Sequence, residues 1–160
     1  SFSIVTGATD TDTLETFRKE YVKEADQHMT VNTRLFQEPE KVLHTLKAKG
    51  AAIGIISTKY RYRILELVGK VFPEGFFNII VGGEDVKSSK PSPEGLNIAI
   101  ERLQADKATT LYIGDSTVDA ETARNAGVDF AGVLHGMTTR EELAVYPHVC
   151  IAATLDELAE

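Results

Sequence analysis

Apolar positions change their spacing several times along this chain, and each change predicts an element. From Leu14 to Met29, Leu14, Phe17, Tyr21, Val22 and Ala25 recur at helical spacing among charged residues, the pattern of an amphipathic helix. Pro39 to Gly50 reads as a second helix, with proline at a favoured first position and glycine as its stop. The period then switches. Ala51 to Ile56 is a continuous apolar run that suits a buried parallel strand, and it ends in Ser57-Thr58. Helical spacing returns over Ile64 to Val71, followed by a strand from Phe76 to Val81 and a helix from Pro93 to Leu103 capped by Ser92. Thr110 to Ile113 reads as a strand and Val118 to Ala126 as a helix stopped by Gly127. Short strands are expected at Phe130 to Leu134 and Val149 to Ala152, and Thr154-x-x-Glu157 offers a last capping box.

Strands alternating with helices predict an α/β domain of three layers around a mostly parallel sheet. Ligands of such sheets bind beyond the carboxyl ends of the strands. The polar residues that end strands are therefore the ones to examine.

Gly114-Asp115-Ser116-Thr117-Val118-Asp119 follows an apolar strand and sets two carboxylates four residues apart where a helix begins. Close carboxylates repel unless a cation or a shared proton relieves them, and Mg²⁺ is a fitting relief where a phosphate also binds. Ser116-x-x-Asp119 equally fits a capping box, and the sequence leaves both readings open. Ser57 and Thr58 precede a helical segment, so they are either an ordinary cap or part of a phosphate site at a helix start. Lys90 lies in Ser88-Ser89-Lys90-Pro91-Ser92-Pro93. A loop stiffened by proline could hold its ammonium for a phosphoryl group or for a carboxylate such as Asp119, although a lone loop lysine is usually a solvated charge.

Composition narrows the partners. The chain has 160 residues and a formal net charge of −7, which opposes nucleic-acid or anionic-membrane binding as a primary role. No apolar run approaches bilayer length, and a single cysteine, Cys150, rules out an intramolecular disulfide; a cytoplasmic protein is expected. His28, His44, His135 and His148 show no zinc spacing, and no Walker-type or dinucleotide-type glycine loop is present.

Taken in order, the strand ending in Ser57-Thr58, Lys90-Pro91 and the strand running into Gly114-Asp115-Ser116-x-x-Asp119 resemble the haloacid dehalogenase (HAD) superfamily of phosphohydrolases. Phe36-Gln37-Glu38-Pro39, Ser89-Lys90-Pro91-Ser92-Pro93 and Asn125-Ala126-Gly127 make the chain similar to its phosphoglycolate phosphatase and pyrophosphatase-like branch. The resemblance implies a Rossmann-like core and a Mg²⁺-dependent phosphatase acting on a small phosphorylated metabolite through an aspartyl-phosphate. By resemblance Ser57 would bond the transferring phosphoryl group, Lys90 would balance charge on nucleophile and phosphate, and Asp115 and Asp119 would hold Mg²⁺.

That family's first motif, an apolar strand running into Asp-x-Asp-Gly-Thr, is not found in the chain. Asp10-Thr11-Asp12-Thr13-Leu14 is a partial candidate, but Thr6-Gly7-Ala8-Thr9 separates it from the apolar Phe2, Ile4 and Val5, Thr13 stands where the motif has glycine, and Asp12-x-x-Glu15 reads better as the cap of the helix that follows. The resemblance implies that residues 1–35 are the last part of a helical cap, that 36–160 are the core, and that the chain is a truncated one expected to be inactive. In the family the first-motif strand lies between the strand ending at Ser57 and the one ending at Asp115. Its loss would leave backbone groups unpaired in the core. The expected outcomes are rearrangement, strand exchange in a homo-oligomer, or a longer parent, with Ser1 to Val5 as one filler of the gap. The alternative function is a catalytically silent fragment that binds phosphate or a protein partner, and a phosphomutase is a lesser rival.

Overall fold

The computed structural model describes residues 2–7, 39–134 and 138–152. The elements run β1 (Phe2–Gly7), α1 (Pro39–Ala48), β2 (Ala52–Ser57), α2 (Arg61–Val68), β3 (Ile79–Val81), α3 (Glu94–Arg102), β4 (Thr110–Gly114), α4 (Thr117–Ala126), β5 (Asp129–Val133), α5 (Arg140–Ala144) and β6 (Cys150–Ala152). The expected helix over Leu14 to Met29 and the cap at Thr154 lie outside the described residues. Glycine ends α4 as the pattern requires, because Gly127 takes φ 75°, a left-handed conformation that a Cβ disfavours.

Six strands form one sheet in the order β3-β2-β1-β4-β5-β6. The pairs β2–β3, β4–β5 and β5–β6 are parallel, whereas β1 pairs antiparallel with both β2 and β4. The position between the strands ending at Ser57 and Gly114 is thus filled by the chain's own residues 2–7. This differs from the division at residue 35, since Phe2–Gly7 belongs to the core sheet. The physical reason is the need to pair the facing edges of β2 and β4, which Phe2↔Ser57 through Gly7↔Ala52 and Ile4↔Ile113 through Gly7↔Thr110 accomplish.

Alternation along the strands divides the core in two. Tyr112 and Phe130 belong to one cluster with Val5, Leu96, Ala99, Ala120 and Ala123, while Leu111, Ile113 and Ala131 belong to the other with Leu43, Leu46, Ile53 and Phe76. Successive residues of β4 and β5 therefore serve opposite faces of the sheet. Helices α3 and α4 cover one face and α1 the other. No helix among the described residues is long and apolar enough to cross a membrane.

The structure departs from the apolar pattern in two places. Phe76 and Phe77, expected in a strand, precede β3 and pack with Phe72 at ring-centroid distances of 4.7 and 5.0 Å. The backbone is diverted there because the Asn78 side chain accepts the Ile53 amide at 2.9 Å. Helix α5 was not foreseen, although Thr139-x-x-Glu142 forms a complete capping box at its start.

Val5 is fully buried and sits in the middle of β1. Val5→Ala is expected to cost about 2 kcal/mol in urea unfolding, as for other buried methyl deletions. A variant as stable as the parent would mean that β1 is not a core strand.

Candidate active site

β2 and β4 run parallel on either side of β1, and their carboxyl ends meet the start of β1. The crossovers leave in opposite directions from this point, since β3 lies beyond β2 and β5 beyond β4. A sheet of this kind offers a crevice there. Ser57 closes β2, Gly114 closes β4 with Asp115 next in the chain, and Ser3 stands level with Ile56 on the intervening strand.

Asp119 is the centre of the polar cluster. It is buried on the first turn of α4. Its Oδ1 accepts the Ser3 hydroxyl at 2.5 Å and the Lys90 ammonium at 2.9 Å, and its Oδ2 accepts the Ser116 hydroxyl at 2.9 Å and the Asp115 amide at 3.3 Å. Ser116 Oγ also accepts the Asp119 amide at 3.2 Å, so the cap and the ion pair coexist in one residue. Gly114 is required by this packing, because a Cβ there would stand 2.4 Å from Asp119 Cβ.

Lys90 reaches this carboxylate from the loop before α3, with a side chain only 8% exposed. Its ammonium also donates to Ser3 Oγ at 2.9 Å. An ammonium carries three donors, and the hydrogen bonds among the described residues use two. The third has no protein acceptor among the described residues.

Ser57 is buried, and its Oγ accepts the Lys59 amide at 3.1 Å; Thr58 is exposed beside it. The start of α2 takes its cap from elsewhere, because the Arg61 amide donates to the Glu84 carboxylate at 3.0 and 3.2 Å. Asp10 and His28 lie outside the described residues. The structure thus brings Lys90 and Asp119 into contact, with Asp115 beside them through its amide, and places Ser57 at the neighbouring strand end.

Sequence reasoning missed Ser3 and Glu94, and gave Asn125 no role beyond its place in the resemblance. No motif marked Ser3. The Glu94 carboxylate accepts the Lys87 amide at 3.1 Å and the Ser88 amide at 2.9 Å, which holds the loop ahead of Lys90. Burial, and then the Asp119 carboxylate, push the Tyr112 phenol on β4 far above its ordinary range.

Asp115 is half-buried, and among the described residues its carboxylate makes no ion pair with Lys90. Among the described residues no group of three or more His, Cys, Asp or Glu is gathered as a metal cage. Mg²⁺ keeps several waters and takes one or two carboxylates together with substrate phosphate oxygens, so a single half-buried carboxylate such as Asp115 is compatible with it.

Comparison with known proteins agrees with this architecture. The family model for haloacid dehalogenase-like hydrolases matches residues 2–133, and the chain belongs to that family. It is 36% identical over 116 residues to the phosphoglycolate phosphatase of Neisseria gonorrhoeae, covering 72% of this chain and 49% of the relative. It is 30% identical over 146 residues to that of Yersinia pestis, covering 91% and 61%. The chain thus spans roughly half to three-fifths of the curated relatives it matches. A crystal structure of a haloacid dehalogenase-like hydrolase from Bacteroides fragilis is similar at 52% identity and a TM-score of 0.69, covering 94% of this chain and 71% of that one.

Two outcomes are expected here. Asp119→Ala removes one partner of a buried ion pair and should cost about 3–5 kcal/mol in urea unfolding, whereas a loss below about 1 kcal/mol would mean that the pair is exposed in solution. The Lys87 and Ser88 amides hold the Glu94 carboxyl below the ordinary glutamate range. A depressed folded-state pKa contributes stability above the unfolded value and loses it as pH falls through the folded one. Glu94→Gln should therefore be less stable than the parent at neutral pH, with a smaller deficit at about pH 3, below the ordinary glutamate value. An equal deficit at both would contradict the contact.

Proposed function

We propose that this edge of the sheet is the phosphate- and metal-holding part of a Mg²⁺-dependent phosphatase site for small phosphate monoesters, phosphoglycolate among them. The observation that carries the reading is the Lys90 ammonium, buried against Asp119 at the switch point of the sheet with one donor unused among the described residues. A phosphoryl oxygen would take that donor, and Asp119 holds the ammonium in place. Ser57 and Thr58, at the end of β2, supply further hydroxyl and amide donors for the same group. Asp115 would hold Mg²⁺, which when bound supplies a positive charge that offsets the charge spread over the phosphoryl oxygens. Asp119 would contribute to the metal site only by giving up donors it now accepts.

Proton and nucleophile roles are the open half. An aspartyl-phosphate route needs a nucleophilic carboxylate beyond the one paired with Lys90 and the one reserved for Mg²⁺, and among the described residues of β1 the side chain beside the ammonium is Ser3. That observation favours the second reading, a chain that binds phosphate without turning it over.

The test is orthophosphate binding by calorimetry with and without Mg²⁺, with p-nitrophenyl phosphate hydrolysis in parallel. Lys90→Met should weaken binding about 10- to 100-fold, the worth of a charge-assisted bond, and Asp115→Asn should remove the Mg²⁺ dependence. Turnover by this chain is expected to stay at background. Binding indifferent to both substitutions would defeat the site reading, and turnover abolished by Asp10→Asn would show that a nucleophile is present.

A further inference from the structure

Asp119 holds the tip of Lys90, and a different side chain holds its root. The Asn125 amide donates to the Pro91 carbonyl, the next in the chain after Lys90, at 3.0 Å. Asn125 and Asp119 are both on α4, six residues and so about 9 Å of helix rise apart. One rigid element therefore grips the lysine at both ends. Asn125 is exposed, and among the described hydrogen bonds it makes none with Lys90, Ser3 or Asp119 themselves.

We propose that Asn125 is a positioning residue, which by fixing the Pro91 carbonyl presents the Lys90 ammonium to an anionic oxygen. The inference rests on the reading of Lys90 as a phosphate-binding group. A lysine has a long, rotamer-rich stem, and a loop free to shift at its root would have to be ordered again each time a ligand bound. With Glu94 on the amides of Lys87 and Ser88 and Asn125 on the carbonyl of Pro91, the loop is held on both sides of Lys90. Ordering is then built into the unliganded protein, which is what preorganisation means for affinity.

Two measurements on the whole chain test this. In the first, lysine reductive methylation rates are read by peptide mass spectrometry without ligand. Asn125→Ala and the near-isosteric Asn125→Leu should both label Lys90 several-fold faster, with Lys70 and Lys107 unchanged. An unaltered Lys90 rate, or a rise at all three lysines, overturns the proposal. The second is a double-mutant cycle on orthophosphate affinity. Asn125→Ala should weaken binding about three-fold when Lys90 is present and not at all in the Lys90→Met background. Equal losses in both backgrounds also overturn it. Should Lys90→Met leave orthophosphate affinity unchanged, the phosphate reading fails, and the labelling rates alone decide whether Asn125 positions the lysine.

Discussion

The position between β2 and β4 has to be filled. Each of these strands presents a row of N–H and C=O groups toward the other, and in the middle of a sheet covered on both faces no water can satisfy them. β1 does so from both sides, with six residues paired to β2 and four to β4. It enters antiparallel into a sheet that is otherwise parallel, so its first residues, and not its last, arrive at the carboxyl edge where the site lies. Ser3 is there for that reason. A slip of one residue in register would turn Ser3 away and bring an apolar neighbour to Lys90.

The polar cluster follows from that placement. A buried ion pair is costly to desolvate, and its attraction offsets the cost only where the remaining lone pairs are satisfied. Ser3, Ser116 and the Asp115 amide do this for Asp119. The pair is accordingly of more use as a poised charge than as a source of stability. Gly114 allows the carboxylate to lie against β4, and α4 carries both the carboxylate and the amide that steadies the Lys90 loop.

Much of this was legible in the sequence because local patterns governed it. The runs at Ala51 to Ile56 and Thr110 to Ile113 became β2 and β4 within a residue or so, and Gly127 ended α4 as its type demands. Lys90 and Asp119 could be suspected of pairing, but only tertiary structure brings residues 29 apart to 2.9 Å. Phe76 and Phe77 misled because an aromatic run looks like a strand until three rings find each other, and the side chain of Asn78 settles where the ladder starts. Ser3 was invisible. Its role depends on the direction in which β1 enters the sheet, and no local pattern encodes direction.

The most direct test of this structure is the pattern of interstrand nuclear Overhauser contacts made by β1 in solution. The expected result is the antiparallel set that joins Val5 to Gly54 on one side and to Tyr112 on the other, with β1 amides among the slowest to exchange. Rapidly exchanging β1 amides with no contacts to β2 or β4, or contacts of parallel pattern, would contradict it and would remove Ser3 from its contacts with Lys90 and Asp119.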